Sequence, residues 1–142
     1  MIIMKTNSKL LIAFALLSFS LACNKSKTST NSCAQTACTM EFRMIQVQVE
    51  DALGNAVVLD SLRVLDPSNK VLHVQTSYQI PHEKSYTLID DTHFSKIEKF
   101  KNTIITAQFF KGASILKEQK YTVSADCCHI QLVDGPSKVI LP

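Results

Sequence analysis

The sequence predicts an all-β chain: a single β-sandwich of about seven to eight strands with one short helix. Three observations carry this. Short apolar segments recur at intervals of roughly 8–12 residues with turn residues between them. Ile45, Val47 and Val49 alternate with Gln46, Gln48 and Glu50, the period of a strand with one buried face. β-Branched and aromatic residues crowd stretches such as Asn102 to Phe110.

The elements follow in order. Phe42 and Met44 are apolar in the phase opposite to Ile45, which suggests a bulge near Met44. Asp51-Ala52-Leu53-Gly54-Asn55 has turn chemistry, and Val57 to Leu65 reads as a second strand. Asp66-Pro67-Ser68-Asn69 turns the chain again, Val71 to Val74 begins a third strand ended by Pro81, and Tyr86 to Ile89 is a short fourth. Asp90-Asp91-Thr92 caps a helix over Thr92 to Phe100, with Phe94, Ile97 and Phe100 on one side. Asn102 to Phe110 reads as a central strand, Ser114 to Ala125 as a long one, and His129 to Val133 as a shorter one. After the turn Asp134-Gly135-Pro136-Ser137, Val139 to Leu141 forms the final strand.

Ahead of the domain stands a leader. Lys5 and Lys9 precede the apolar run LLIAFALL, Leu10 to Leu17, and small and apolar residues lead to Ala22-Cys23. This is the charge, core and small-residue order of a secretory signal, expected over residues 1–22. The run is too short for a membrane span, which takes roughly 20 apolar residues. Ser20-Leu21-Ala22-Cys23 resembles the lipobox read by lipoprotein signal peptidase, with Ser20 where the common pattern has Leu. The resemblance implies a lipidated Cys23 as the mature N-terminus. Residues 23–38 are then the lipidated cysteine and its tether, because NKSKTSTNS at 24–32 holds no apolar residue to bury. Residues 39–142 are expected to be the domain. The compartment that follows is the bacterial cell envelope. Asn24 after Cys23 resembles the sorting signal for the outer membrane.

Composition excludes several roles. The chain carries 15 basic and 12 acidic residues, and losing Lys5 and Lys9 with the leader leaves it near neutral, without the basic stripe of a nucleic-acid site. The domain is long enough for one core but not for two domains.

Val47-Gln48-Val49-Glu50-Asp51-Ala52-Leu53-Gly54-Asn55-Ala56-Val57 resembles the opening of carboxypeptidase-regulatory-like domains, which are transthyretin-like β-sandwiches; Ala56 stands where that family often has Pro. Tyr86-x-Leu88 is similar to the family's aromatic strand. Cys127-Cys128-His129 resembles the Cys-rich strand that ends small Bacteroidetes-type lipoproteins. The resemblance implies a binding or accessory domain without an active site. Transthyretin-like ring-opening enzymes carry a Tyr-Arg-Gly-Ser tail, and this chain ends Val-Ile-Leu-Pro.

Once Cys23 is lipidated, Cys33, Cys38, Cys127 and Cys128 remain, an even set that reads as disulfides in an exported chain. A bond between the neighbours Cys127 and Cys128 is disfavoured, since adjacent Cα atoms sit about 3.8 Å apart and disulfides want about 4.4–6.8 Å. Two crossed pairings stay open. Either closes a loop of about 90 residues, worth on the order of 4–5 kcal/mol by chain entropy. A metal site on these cysteines and His129 is the competing reading. It suffers from oxidising conditions and from adjacent strand residues pointing to opposite faces.

Asp90, Asp91 and His93 form the most site-like cluster, a binding candidate, although acidic residues ahead of a helix ordinarily cap it. His82-Glu83 reads as loop, and Asp51 to Asn55 lacks the ligand count of a calcium loop. Ser61, Ser114 and Ser124 sit in no nucleophile elbow. Lys96, Lys99 and Lys101 beside Glu98 suit a solvated helix face. No catalytic residue, resident metal or cofactor is expected. The expected role is a non-enzymatic, lipid-anchored interaction or accessory module with an envelope protein partner, held to the membrane by its anchor and binding no nucleic acid. A peptide- or glycan-binding lipoprotein is the alternative, and a hydrolase or metal protein the third reading. The absence of Trp weighs against a glycan platform.

Overall fold

The computed structural model describes residues 33, 34, 36–76 and 85–142. The leader, Cys23, the tether to residue 32, Pro81 and His82-Glu83 lie outside the described residues. The described residues belong to one compact unit, Ser32–Pro142.

Among the described residues, eight strands run β1 (Met44–Glu50), β2 (Ser61–Leu65), β3 (Val71–Thr76), β4 (Ser85–Asp90), β5 (Thr103–Lys111), β6 (Ser114–Ala125), β7 (Ile130–Asp134) and β8 (Lys138–Ile140). They form a three-stranded sheet ordered β4-β1-β8 and a five-stranded sheet ordered β3-β2-β5-β6-β7. The fold is thus the all-β sandwich that the alternating pattern predicts. The ladder of β1 with β8 is parallel, and the remaining ladders between these strands are antiparallel.

The core lies between the sheets. Ile45, Val47 and Val49 come from β1, Tyr86, Leu88 and Ile89 from β4, and Val139 from β8. Against them stand Leu62 and Val64 of β2, Ile105, Ala107 and Phe109 of β5, Tyr121 and Val123 of β6, and Ile130 of β7. β5 is central in its sheet, as its Ile, Thr and Phe content predicts. Gly135, at φ 137°, packs on the Tyr121 ring so closely that a Cβ there would lie 2.3 Å from Cδ1.

Three elements differ from expectation. The second strand begins at Ser61 rather than Val57. The Tyr86 hydroxyl accepts the Leu59 N–H (2.7 Å) and donates to the Val57 carbonyl (3.1 Å), while Val57 N–H donates to Val49 O (2.9 Å). The Tyr86 hydroxyl thus occupies the Val57 carbonyl and the Leu59 N–H, and the Val57 N–H completes an isolated antiparallel bridge to β1 instead of pairing with β5. The helix is a 3-10 turn over Asp91–Lys96, not a helix to Phe100. Ile97 is already extended (φ −102°, ψ 131°), and Phe100, at φ 58°, donates its N–H to Ala125 O (2.7 Å), drawing the chain onto β6. Ile97 is buried and Phe94 packs on the core, but Phe100 is exposed, and Lys101 pairs with Glu98 beyond the turn. Finally, β1 keeps strict alternation through Met44. The register shift between Ile45 and Gln46 skips Leu88, so the extra residue belongs to β4. Phe42 and Met44 simply face outward.

Candidate functional site

The cysteines pair as Cys33–Cys127 (Cα–Cα 5.3 Å) and Cys38–Cys128 (5.4 Å). This is one of the two crossed arrangements. Adjacent cysteines can serve one arm because they lie in a bend between β6 and β7 rather than on a strand. Asp126 shapes that bend: its Oδ1 accepts the Cys128 N–H (2.7 Å) and the His129 N–H (2.8 Å), and its own N–H donates to His129 O (3.0 Å). Such a carboxylate-to-main-chain turn is a local habit of Asp. The bonds to Cys128 and His129 N–H hold its carboxyl below the ordinary carboxylate range.

The arm then crosses the end of the five-stranded sheet through a row of polar contacts. Thr39 Oγ1 lies 3.2 Å from His129 Nε2, and His129 Nδ1 lies 2.8 Å from Asp91 Oδ2. Asp91 also accepts the Arg43 N–H (2.8 Å) and the Ile130 N–H (3.0 Å), while its own N–H donates to Arg43 O (3.0 Å). Burial pushes the Asp91 carboxyl upward, but these donors outweigh it and hold the group below the usual range. An ionised Asp91 can only accept, so His129 Nδ1 donates to it while Thr39 Oγ1 stands against the other ring nitrogen. The order hydroxyl, imidazole, carboxylate matches an acid–base relay. Each member, however, comes from a different segment, and together they fasten arm, turn and bend.

Asp90 and Asp91, adjacent in sequence, part company. Asp90 caps the 3-10 turn, accepting the Thr92 N–H (2.9 Å) and facing His93 Nδ1 (3.0 Å). His93 is buried and meets the His73 ring edge-on, centroids 5.1 Å apart. Among the described residues, His73 Nε2 is buried without a hydrogen-bond partner. Burial first, and then the neighbouring His93, lower the His73 pKa. The cluster Asp90, Asp91 and His93 is therefore two separate Asp–His pairs rather than one site. Among the described residues, no group of His, Cys, Asp or Glu is placed to hold a metal ion. Thr39, Arg43 and Asp126 escaped the sequence reading. The spacing Asp126-x-x-His129 was the one available signal of a capped bend.

Beside this row lies a groove of about 480 Å³, walled by residues 41–46 on one side and Ile130, Gln131 and Leu132 on the other. Its existence follows from strand lengths. β8 pairs only with Gln48–Glu50, so the first half of β1 has no neighbour on that side among the described strands. Gln48 N–H donates to Ser137 O (2.9 Å), and Glu50 O accepts the Leu141 N–H (2.8 Å), whereas Arg43 turns its N–H and C=O to Asp91. Strand alternation then aims the main-chain groups of Met44 and Gln46 into the groove. The opposite wall is β7, an edge strand of the five-stranded sheet with Leu132 and Val133 exposed. Two strand edges therefore border one partly apolar slot.

Comparison of the chain with protein families, with curated proteins and with solved structures found no match.

Proposed function

We propose that this chain is a lipid-anchored lipoprotein of the bacterial envelope, anchored to the outer membrane through Cys23, whose domain is a non-enzymatic protein-interaction module. The observation that carries the reading is the groove between β1 and β7. Unpaired strand edges are templates for an added strand. Recognition by strand addition takes affinity from main-chain hydrogen bonds and specificity from alternate side-chain pockets. Met44 and Gln46 supply the main chain, and Ile45, Ile130 and Leu132 an apolar floor. The occupant is an extended segment of another envelope protein. The carboxypeptidase-regulatory-like resemblance points the same way, toward an accessory domain.

The test is a photo-crosslinking residue at Gln131, beside the groove, in cells expressing the full chain. One discrete adduct with an envelope protein, absent when the probe stands at exposed Ile115 instead, is the expected result. Equal patterns from both positions, or none, would overturn the module. The alternative, a small peptide or glycan ligand, predicts no protein adduct but a thermal shift on adding the ligand. The groove's volume falls within the roughly 300–1,000 Å³ of small-molecule sites. The hydrolase reading would need the Thr39 row to work as a nucleophile relay. Under the module reading, the wild-type protein hydrolyses activated esters no faster than a Thr39→Ala variant.

A further inference from the structure

The arm that leads into β1 presents a second, different feature. Thr39, Glu41 and Arg43 face the domain or each other: Thr39 reaches His129, and Glu41 pairs with Arg43 (3.1 Å). Met40, Phe42 and Met44 alternate with them and carry only apolar side chains. Met40 is fully exposed, Phe42 is 56% exposed and Met44 54%. Three large apolar groups at every second position, from the bend at Met40 into β1, form a stripe rather than scattered surface residues, with the exposed Glu41–Arg43 pair beside it.

The covalent chain says what lies nearby. Cys33, bonded to Cys127, begins the described arm, and Cys23 precedes it by ten residues. Ten residues span at most about 36 Å when fully drawn out. β6, with its 12 residues, is about 40 Å long. The tie point at Cys33 is thereby kept within that distance of the surface that holds Cys23, and the stripe begins seven residues beyond it. Lys25 and Lys27 lie on the line itself and favour an anionic leaflet.

We infer that the folded domain seats Met40, Phe42 and Met44 in the headgroup region of the membrane that carries the lipid. The inference rests on the lipid-anchor reading and deepens it: the domain does not swing freely but lies with one named stripe on the bilayer. Phe42 and Met44 also wall the groove, so seating holds the groove at the membrane surface and restricts its occupants to membrane-proximal segments.

The chain contains no Trp, so a single introduced Trp reports alone. The experiment uses the full-length gene expressed in a lipoprotein-processing host. The mature Phe42→Trp protein is reconstituted in vesicles of phosphatidylethanolamine and phosphatidylglycerol, with and without brominated acyl chains. The Ile115→Trp protein is the control, its site 46% exposed and ten residues along β6 from Ala125. The expected result is blue-shifted emission from the Phe42→Trp protein that loses most of its intensity to the bromolipid, while emission from the Ile115→Trp protein is unaffected. Vesicle-bound Phe42→Trp protein that emits like the Ile115→Trp control overturns the seating while leaving the anchor intact. Protein without acyl mass on Cys23 that fails to float with vesicles overturns the anchor, and the seating with it.

Discussion

The Asp91 carboxylate stands 2.8 Å from Nδ1 of His129, a residue 38 positions away. Both partners are largely shielded, with side chains 12% and 8% exposed. Asp91 therefore does three jobs at once: it holds the start of β1 through Arg43, the start of β7 through Ile130, and the imidazole between bend and arm.

Asp91→Ala removes the acceptor for the Arg43 and Ile130 N–H groups together. Leaving a shielded donor unpaired costs about 1–3 kcal/mol; the Ile130 N–H is partly buried and the Arg43 N–H exposed, so a loss of roughly 1–3 kcal/mol is expected. Asp91→Asn, which keeps one oxygen, should lose less. Urea unfolding midpoints check both, and unchanged midpoints would mean that water replaces the carboxylate freely.

The disulfides are expected to be unequal in series. Either bond alone closes a loop of some 90 residues and stabilises by about 4–5 kcal/mol in the chain-entropy account. With one in place, the other closes only a short ring. Single Cys-to-Ser pairs should thus cost far less than reduction of both. Partial reduction with stepwise thiol labelling, under conditions that prevent exchange, should free Cys33 together with Cys127 and Cys38 together with Cys128. Cys33 and Cys128 freed as a pair would contradict the fold.

Acid should destabilise the domain over two pH ranges. The folded His73 pKa is lowered from 6.5, so the unfolded chain takes up its proton first. The stability this provides is complete above about pH 6.5 and declines as pH falls through the lowered value. Asp90, Asp91 and Asp126 are also lowered, and their contribution is present above about pH 4 and declines below it. Melting temperature followed from neutral pH to about pH 3 checks this, and His73→Phe should flatten the upper range alone.

Tyr121 offers an opposite result. Its hydroxyl is buried without a partner among the described residues, and burial pushes its pKa up to about 12. Tyr121→Phe removes the stranded hydroxyl and keeps the ring under Gly135. Stability should hold or rise, by up to about 1 kcal/mol. A marked fall in melting temperature would show that the hydroxyl is bonded in solution.

Local pattern carried most of the strands and little of the site. β6 runs from Ser114 to Ala125 as expected: Gly112 marks its start, Ile115 and Tyr121-Thr122-Val123 are β-prone, and no Gly or Pro interrupts the charged stretch between them. The expected second strand is longer than β2 because a tyrosine 27 residues downstream of Leu59 captures its main chain, which no window of neighbouring residues reveals. The cluster at Asp90 to His93 reads as one site because proximity in sequence suggests a shared direction. Successive positions of a strand end and a turn point apart, and each Asp found its own histidine. The groove was illegible for another reason. It exists because β8 is short, and a strand's length relative to its neighbour emerges only once the register is known.

The parallel ladder of β1 with β8 sets a timetable. Gln48 to Glu50 find their partners only when residues 138–140 exist, and both disulfides likewise wait for Cys127 and Cys128. Contacts between distant parts of a chain form slowly. A nascent chain therefore has no way to close the three-stranded sheet until Lys138 to Ile140 have been made. A chain cut before Lys138 would therefore leave β4 and β1 as an open pair, however completely the larger sheet has formed.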